Sequence, residues 1–268
     1  MSLARTHHAH RDNVPLRSRR RRLGSRHKNF AGSAACMIAL LAASILLSTP
    51  RSGPPERSAG VALAADNKTT TVLTCEPLLI GLGAFAAATM NTTLSGFAPA
   101  HGTPVGVPAS NDLTYAGLLK GRDNLNDSIR NTPGKKIVFG YSRGAQIASE
   151  WLRAYAGKPG APSASDLSFV LIGNPQRRLG GDLGKTLDGV TLRPAPDNTR
   201  YTVTDISRRW DGWANTDNWP DGPNPAAQEK LANNKFSGAH TSYWWTSINS
   251  PQNQTRAVVG NTTYVVAP

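Results

Sequence analysis

The chain has 268 residues, of which 39% are hydrophobic and 18% charged, enough for one domain of ordinary size with an additional tail. Its formal net charge of +13 is concentrated at the amino end, since residues 1–30 hold nine Lys or Arg and one acidic residue. Residues 65–268 hold 19 basic and 15 acidic residues, which argues against a nucleic-acid-binding domain, and we expect no nucleic-acid partner.

An apolar segment follows the basic tail. No charged residue occurs between Lys28 and Arg51, and residues 30–48 are mostly Ala, Leu, Ile and Met, close to the length that crosses a bilayer as a helix. Four arginines, Arg19–Arg22, precede this segment, so the positive-inside rule predicts a basic cytoplasmic tail over residues 1–29. We predict residues 30–48 to be a transmembrane anchor or the apolar part of a signal peptide.

The part of the chain beyond the apolar segment is expected to be exported. Residues 49–68 are predicted to be a linker, and residues 69–268 to be one domain. Ala62-Leu63-Ala64 in the linker is typical of signal-peptide cleavage, although it lies well beyond the apolar residues. Two locations therefore remain open: a domain tethered to the outer face of the cell membrane, or a product secreted to the cell envelope.

Cysteine usage indicates neither a disulfide nor a metal site in this domain. Cys36 lies in the apolar segment and Cys75 is the single cysteine of the domain, so no disulfide can form within it. We expect Cys75 to be a buried small residue. No cluster of Cys and His suggests a metal, and we expect no cofactor.

Predicted strands and helices alternate along the domain. Residues 72–88 are predicted to form a first core strand and a glycine-containing loop, and residues 91–101 to form a loop. The later predicted elements are strands at 105–107, 137–139, 167–173 and 201–206, helices at 115–129, 145–156 and 224–234, and a terminal hairpin around Gly260. This order predicts a mainly parallel sheet with helices on both faces.

A Gly-x-Ser-x-Gly sequence lies between a predicted strand and a predicted helix. Gly140, Ser142 and Gly144 form the pattern of a nucleophile elbow, a sharp turn that pushes the serine hydroxyl clear of the backbone. A side chain at position 140 or 144 would collide with the neighbouring strand or helix. The pattern therefore predicts Ser142 to be a nucleophile.

The same turn predicts an oxyanion hole. The backbone N–H of Arg143 and the positive end of the following helix would face an oxyanion formed beside Ser142. A second N–H could come from the loop that contains Gly81 and Gly83, since glycine permits close approach of the backbone.

A nucleophilic serine needs a base, which is nearly always histidine. Four histidines precede the apolar segment, and of the other two only His240 follows Ser142, as the order serine, acid, histidine requires. His101 precedes the serine. His240 is therefore the predicted base.

Three aspartates between the serine and His240 could orient the base. Asp205 lies in a predicted strand, where its carboxylate would point the wrong way. Asp211 lies shortly after that strand and is followed by Gly212, which suits a turn that aims a carboxylate, so we favour it. Asp217 remains the alternative acid.

Several motifs occur in order over residues 70–245: Val105-Gly106-Val107-Pro108, Gly121-Arg122-Asp123-Asn124-Leu125, Gly140-Tyr141-Ser142-Arg143-Gly144-Ala145, Gly173-Asn174-Pro175-Gln176-Arg177, Trp210-Asp211-Gly212-Trp213 and His240-Thr241-Ser242-Tyr243. This set resembles the PE-PPE domain, a mycobacterial serine-hydrolase domain related to cutinases. The resemblance implies a cutinase-like α/β-hydrolase fold and a Ser142, Asp211 and His240 triad. It also implies activity on fatty-acyl esters and, in some anchored members, acyl transfer onto a cell-envelope glycolipid.

These observations predict an exported serine esterase or lipase that hydrolyses fatty-acyl esters through an acyl-enzyme. An acyltransferase that acts on a glycolipid would use the same residues and remains an alternative. A catalytically silent lipid- or envelope-binding module on the same fold is a second alternative, because fold does not determine function.

Overall fold

The computed structural model describes residues 70–78, 83–217 and 224–268. The predicted basic tail, apolar segment and linker lie outside these residues. Within the part that is described, no helix combines the length and the apolar character needed to cross a membrane.

A seven-stranded sheet organises the described part of the chain. In spatial order it consists of β2 (Thr103–Gly106), β1 (Thr70–Cys75), β3 (Lys135–Tyr141), β4 (Leu167–Ile172), β5 (Val203–Arg208), β7 (Thr262–Ala267) and β6 (Gln254–Val259). Neighbouring strands are parallel except in the terminal β6–β7 hairpin. The predicted parallel sheet and terminal hairpin are therefore confirmed. Because β1 to β5 are parallel, their carboxyl ends share one edge of the sheet.

Four α-helices lie between the described strands, and two of them begin with a side-chain cap. The four are α1 (Gly83–His101), α2 (Tyr115–Asn131), α3 (Arg143–Tyr155) and α4 (Pro225–Asn233). The Thr114 side chain caps α2 by accepting from the Gly117 N–H at 3.1 Å. At α4 the Asn224 side chain accepts from the Ala227 N–H at 2.8 Å.

The prediction of a loop over residues 91–101 is wrong except at residues 93–96, whose backbone is non-helical, and residues 83–88, at the end of the predicted strand and loop 72–88, are also helical. Both stretches belong to α1, which is interrupted by a kink where Leu94 and Ser95 adopt positive φ. The Asn, Thr, Ser, Gly and Pro content lowers the helix propensity of this segment. Burial overrides propensity here, because Phe97 is 2% exposed and packs against Phe139 of β3 with ring centroids 5.0 Å apart.

Apolar side chains of the strands alternate between two cores, one on each face of the sheet. Val138 packs in a core with Leu125 of α2 and Trp151 of α3. Its neighbour Phe139 faces the opposite core, which includes Phe97 of α1. Alternation of this kind is expected of a strand covered on both faces. The predicted placement of helices on both faces is confirmed.

A buried ion pair joins the sheet to the loop that follows β4. Asp205 in β5 is 1% exposed, and its carboxylate lies 3.0 Å from the Arg177 guanidinium and accepts from the Asn174 side chain at 2.9 Å. Burial raises the pKa of Asp205, against the lowering influence of Arg177 and Asn174. Asp205 is therefore engaged within the fold, in agreement with the prediction that it points away from the serine.

We expect Asp205→Ala to lower the free energy of unfolding by about 3–5 kcal/mol, because it leaves the buried Arg177 charge uncompensated. Asp217→Ala is the matched control. It removes a carboxylate whose side chain is 47% exposed and paired with Arg256, and should cost about 0–1 kcal/mol. Denaturant unfolding of the full chain, followed by tryptophan fluorescence, measures both. Equal losses in the two variants would contradict the structural role of Asp205.

Candidate active site

Ser142 lies in a strained turn between β3 and α3. Its φ of 52° and ψ of −110° are values that side-chain-bearing residues rarely adopt. A Cβ added at Gly144 would lie 1.9 Å from the Cys75 carbonyl oxygen, and one at Gly140 would lie 2.8 Å from the Gly144 carbonyl oxygen. The predicted collisions are thus confirmed: the turn forms only because both positions lack a side chain.

His240 connects the serine to a carboxylate. Its Nε2 lies 3.0 Å from Ser142 Oγ, and its Nδ1 lies 2.9 and 3.0 Å from the two oxygens of Asp211. An ionised carboxylate can only accept, so Nδ1 carries the proton that it donates to Asp211. In neutral imidazole, Nε2 is then free to accept a proton from Ser142.

The structure thus brings together the serine, base and favoured acid predicted from the sequence. His240 is 98 residues from Ser142 and 29 from Asp211 along the chain. Ser142 is half-buried, His240 is 7% exposed and Asp211 is fully buried. This gradient leaves the hydroxyl reachable from solvent while the acid is shielded from it.

The Asp211 carboxylate is held by donors on both of its oxygens. Oδ1 accepts from the backbone N–H groups of Trp213 at 2.8 Å and Ala214 at 3.1 Å, and Oδ2 accepts from the Tyr243 hydroxyl at 2.7 Å. Burial acts to raise the pKa of Asp211, but the His240 charge and the hydrogen bonds from His240, Tyr243 and Trp213 outweigh it and lower that pKa. The carboxylate is therefore ionised at neutral pH.

The alternative acid, Asp217, is engaged elsewhere. Its two oxygens accept from Nη1 and Nη2 of Arg256 at 2.6 and 3.0 Å, at an exposed position. The carboxylate at His240 is that of Asp211.

The predicted oxyanion residues are only partly described. Arg143 is the first residue of α3, so its backbone N–H has no acceptor within the helix. Its side chain turns away, and Nη2 donates to the carbonyl oxygens of Asp112 at 2.7 Å and Thr114 at 3.3 Å. Gly83 is the first residue of α1, and Gly81 lies outside the described residues. The second oxyanion donor stays a prediction.

Two buried tyrosines and one glycine support the site, although the sequence did not single them out. The Tyr141 hydroxyl donates to the His240 carbonyl oxygen, and Tyr243 holds Asp211 as described above. Gly173 directly follows β4 and has a φ of +53°, and a Cβ at this position would lie 3.2 Å from Asp211 Oδ2 and from His240 Cε1. All three residues lie in the motifs that carry the family resemblance, and Gly173 also follows an apolar strand, but no local pattern indicates the contacts that the two tyrosines make.

Other side chains near the site behave as small or apolar packing groups. Cys75 is 1% exposed, and burial raises the pKa of its thiol, which agrees with the predicted buried small residue. The Trp213 ring lies 6.5 Å from the His240 ring and meets Phe236 edge-to-face at 5.6 Å. Phe236 is 57% exposed, so aromatic side chains extend from His240 towards solvent.

We expect Gly144→Ala to lower the free energy of unfolding by about 1–3 kcal/mol or more, because its Cβ would overlap the Cys75 carbonyl of a buried strand. Gly157→Ala, just beyond the end of α3, is the matched control because its Cβ would meet open space. Thermal unfolding of the full chain compares them. A Gly144 variant as stable as the Gly157 variant would show that the elbow tolerates a side chain there.

Two solved structures show similarity to the chain. A cutinase-like protein from Cryptococcus sp. is 19% identical with a TM-score of 0.34, and the match covers 69% of this chain and 98% of that one. An acetyl xylan esterase is 18% identical with a TM-score of 0.32, covering 66% of this chain and 98% of that one.

Sequence comparison finds mycobacterial relatives. Esterase PE16 of Mycobacterium tuberculosis (strain ATCC 25618 / H37Rv) is 32% identical over 137 residues, which cover 46% of this chain and 25% of the relative. The PPE family protein PPE42 of M. tuberculosis (strain CDC 1551 / Oshkosh) is 33% identical over 118 residues, covering 38% and 20%. The matches thus span a quarter or less of these relatives. The family model of the PE-PPE domain matches residues 94–268, more than half of the chain. The chain belongs to the PE-PPE domain family.

Proposed function

We propose that this protein is a serine esterase with a cutinase-like α/β-hydrolase fold, and that Ser142, His240 and Asp211 are its catalytic triad. The observation that carries the proposal is the continuous hydrogen-bonded path from Ser142 Oγ through His240 to Asp211, with heavy-atom distances of 3.0 and 2.9 Å. The strained turn at Ser142 and the esterase name of the relative PE16 also support it.

The first half of the proposed reaction forms an acyl-enzyme. His240 Nε2 takes the proton of Ser142 as Oγ attacks the ester carbonyl carbon, and negative charge develops on the carbonyl oxygen. The backbone N–H of Arg143 and the positive end of α3 stabilise that charge. When the tetrahedral intermediate collapses, the alcohol leaves with the proton from His240 and the acyl group remains on Ser142.

The second half transfers the acyl group to an acceptor. A water molecule gives one proton to His240 Nε2 as its oxygen attacks the acyl carbon. When this intermediate collapses, the bond to Ser142 Oγ breaks, His240 returns the proton to Oγ, and the carboxylic acid leaves. Asp211 holds the Nδ1 proton throughout and stabilises the charged imidazole. A sugar hydroxyl of an envelope glycolipid in place of water would make the same steps an acyltransferase reaction.

We further propose a fatty-acyl substrate and a position outside the cytoplasm. Support for the substrate comes from the aromatic surface of Trp213 and Phe236 beside His240, which offers an acyl chain an apolar contact. Support for the location comes from the basic tail and apolar segment of the sequence, residues 1–48, as a membrane anchor or signal.

Ser142→Ala should abolish ester hydrolysis and fluorophosphonate labelling, because both need the hydroxyl. The purified full chain in detergent is assayed with p-nitrophenyl esters of increasing acyl length, and circular dichroism checks that the variant is folded. A folded wild-type protein that neither turns over nor labels would overturn the esterase proposal in favour of a binding module. Labelling without turnover would favour the transferase.

Asp211→Asn should lower kcat on the order of 10⁴-fold, because the amide no longer favours the Nδ1 proton that leaves Nε2 free to accept. Asp217→Asn is the control, since that carboxylate is paired with Arg256. It should change kcat by less than about twofold, because an exposed ion pair contributes little energy. Steady-state kinetics on one ester compares the two variants. A larger loss in the Asp217 variant would reassign the acid.

A further inference from the structure

Tyr243 contacts Asp211, the acid of the proposed triad. It lies three residues after His240 and begins a single 3₁₀ turn, Tyr243–Trp245. Its side chain is fully buried, so it cannot touch a substrate. Its hydroxyl is 2.7 Å from Asp211 Oδ2, whereas the backbone N–H groups of Trp213 and Ala214 both donate to Oδ1.

The direction of this hydrogen bond follows from its other partner. The backbone N–H of Arg208, at the end of β5, lies 2.9 Å from the Tyr243 oxygen. A backbone N–H can only donate, so the tyrosine oxygen accepts from it and directs its own proton to Asp211. Burial and the negative charge of Asp211 raise the pKa of Tyr243 well above its usual value, so the hydroxyl remains a donor at every working pH.

We propose that Tyr243 is a positioning residue of the triad, whose hydroxyl orients the Asp211 carboxylate and limits how strongly that carboxylate holds a proton on His240. The inference rests on the proposed function, since it concerns the acid–base pair of the same site. The hydroxyl proton draws negative charge towards Oδ2. Without it, the Trp213 and Ala214 N–H groups would still hold Oδ1, but more of the negative charge of Asp211 would face the imidazole, and the charged form of His240 would persist to higher pH.

The other groups around this pair are few in the described structure. Tyr141 packs on Tyr243 with ring centroids 5.4 Å apart, and its hydroxyl donates to the His240 backbone carbonyl. The Arg208 guanidinium interacts electrostatically with Tyr141 and donates to Ser242. Among these groups, Tyr243 is the side chain that donates to the carboxylate besides His240 itself.

Tyr243→Phe tests the proposal, because it keeps the buried ring and removes only the hydroxyl. We expect kcat for a p-nitrophenyl ester to fall about tenfold, which corresponds to roughly 1.4 kcal/mol of barrier, with KM within about twofold. The acidic limb of the kcat/KM profile should move upward by about 0.5–1 pH unit, because the unprotonated form of His240, which acts as the base, appears only at higher pH.

Tyr141→Phe is the matched control. It also removes one buried hydroxyl from the same pair of rings, but that hydroxyl bonds to a neutral backbone carbonyl. The acidic limb of the kcat/KM profile of Tyr141→Phe should stay in place, whatever the effect of this substitution on the rate. The proposal would be overturned if the acidic limb of Tyr243→Phe did not move, or if it moved equally in both variants. It would also be overturned if Tyr243→Phe changed KM alone.

A titration that needs no turnover separates this inference from the esterase proposal. In the full chain with isotope-labelled histidine, the His240 ring signal is assigned by its loss in His240→Asn and followed by NMR against pH. Its midpoint should move upward in Tyr243→Phe and not in Tyr141→Phe. If the wild type neither hydrolyses esters nor labels, the esterase proposal fails. An unmoved midpoint overturns the role of Tyr243 itself.

Discussion

The close approach of the first turn of α3 to the end of β1 is the constraint on which the site depends. With Gly144 against the Cys75 carbonyl, the chain must leave β3 through a positive φ at Ser142. That conformation turns the hydroxyl towards His240 and places the N-terminus of α3 behind it. The strain is stored in a turn that two packed elements over-determine, which is how such backbone conformations persist. The two ends of the contact lie in β1 and α3, so Ser142, the proposed nucleophile, is positioned by the sheet and its adjoining helix.

Two buried aspartates six positions apart show how environment assigns roles to one chemical group. Asp205, inside β5, faces Arg177 and Asn174, and burial raises its pKa. Asp211, just beyond the same strand, faces His240 and three further donors, and its pKa is lowered. The first carboxylate is tied into the core by a permanent cation. The second is paired with a group whose charge can change, which is the property that acid–base chemistry needs.

Local sequence patterns predict those elements of the fold that depend mainly on residues within the element itself. The strand before Ser142, the helix after it and the terminal hairpin follow from apolar periodicity and turn residues over a few positions. Segment 91–101 was missed because its composition disfavours a helix, and it is helical through the burial of side chains such as Phe97 against Phe139. Position along the sequence favours Asp211 over Asp217 but leaves both possible. The structure decides between them, because the loop after β5 places Asp211 against His240, whereas Asp217 pairs with Arg256.

The sequence by itself determined which serine, histidine and aspartates are candidates for the proposed triad and their order along the chain, because Gly-x-Ser-x-Gly and a single histidine after it leave few choices. Only the tertiary structure decided which carboxylate meets the base, and that Tyr141, Tyr243 and Gly173 support it. The reason is physical. A turn is specified by the residues within it, whereas a hydrogen bond between residues 98 positions apart depends on how every intervening strand and loop packs.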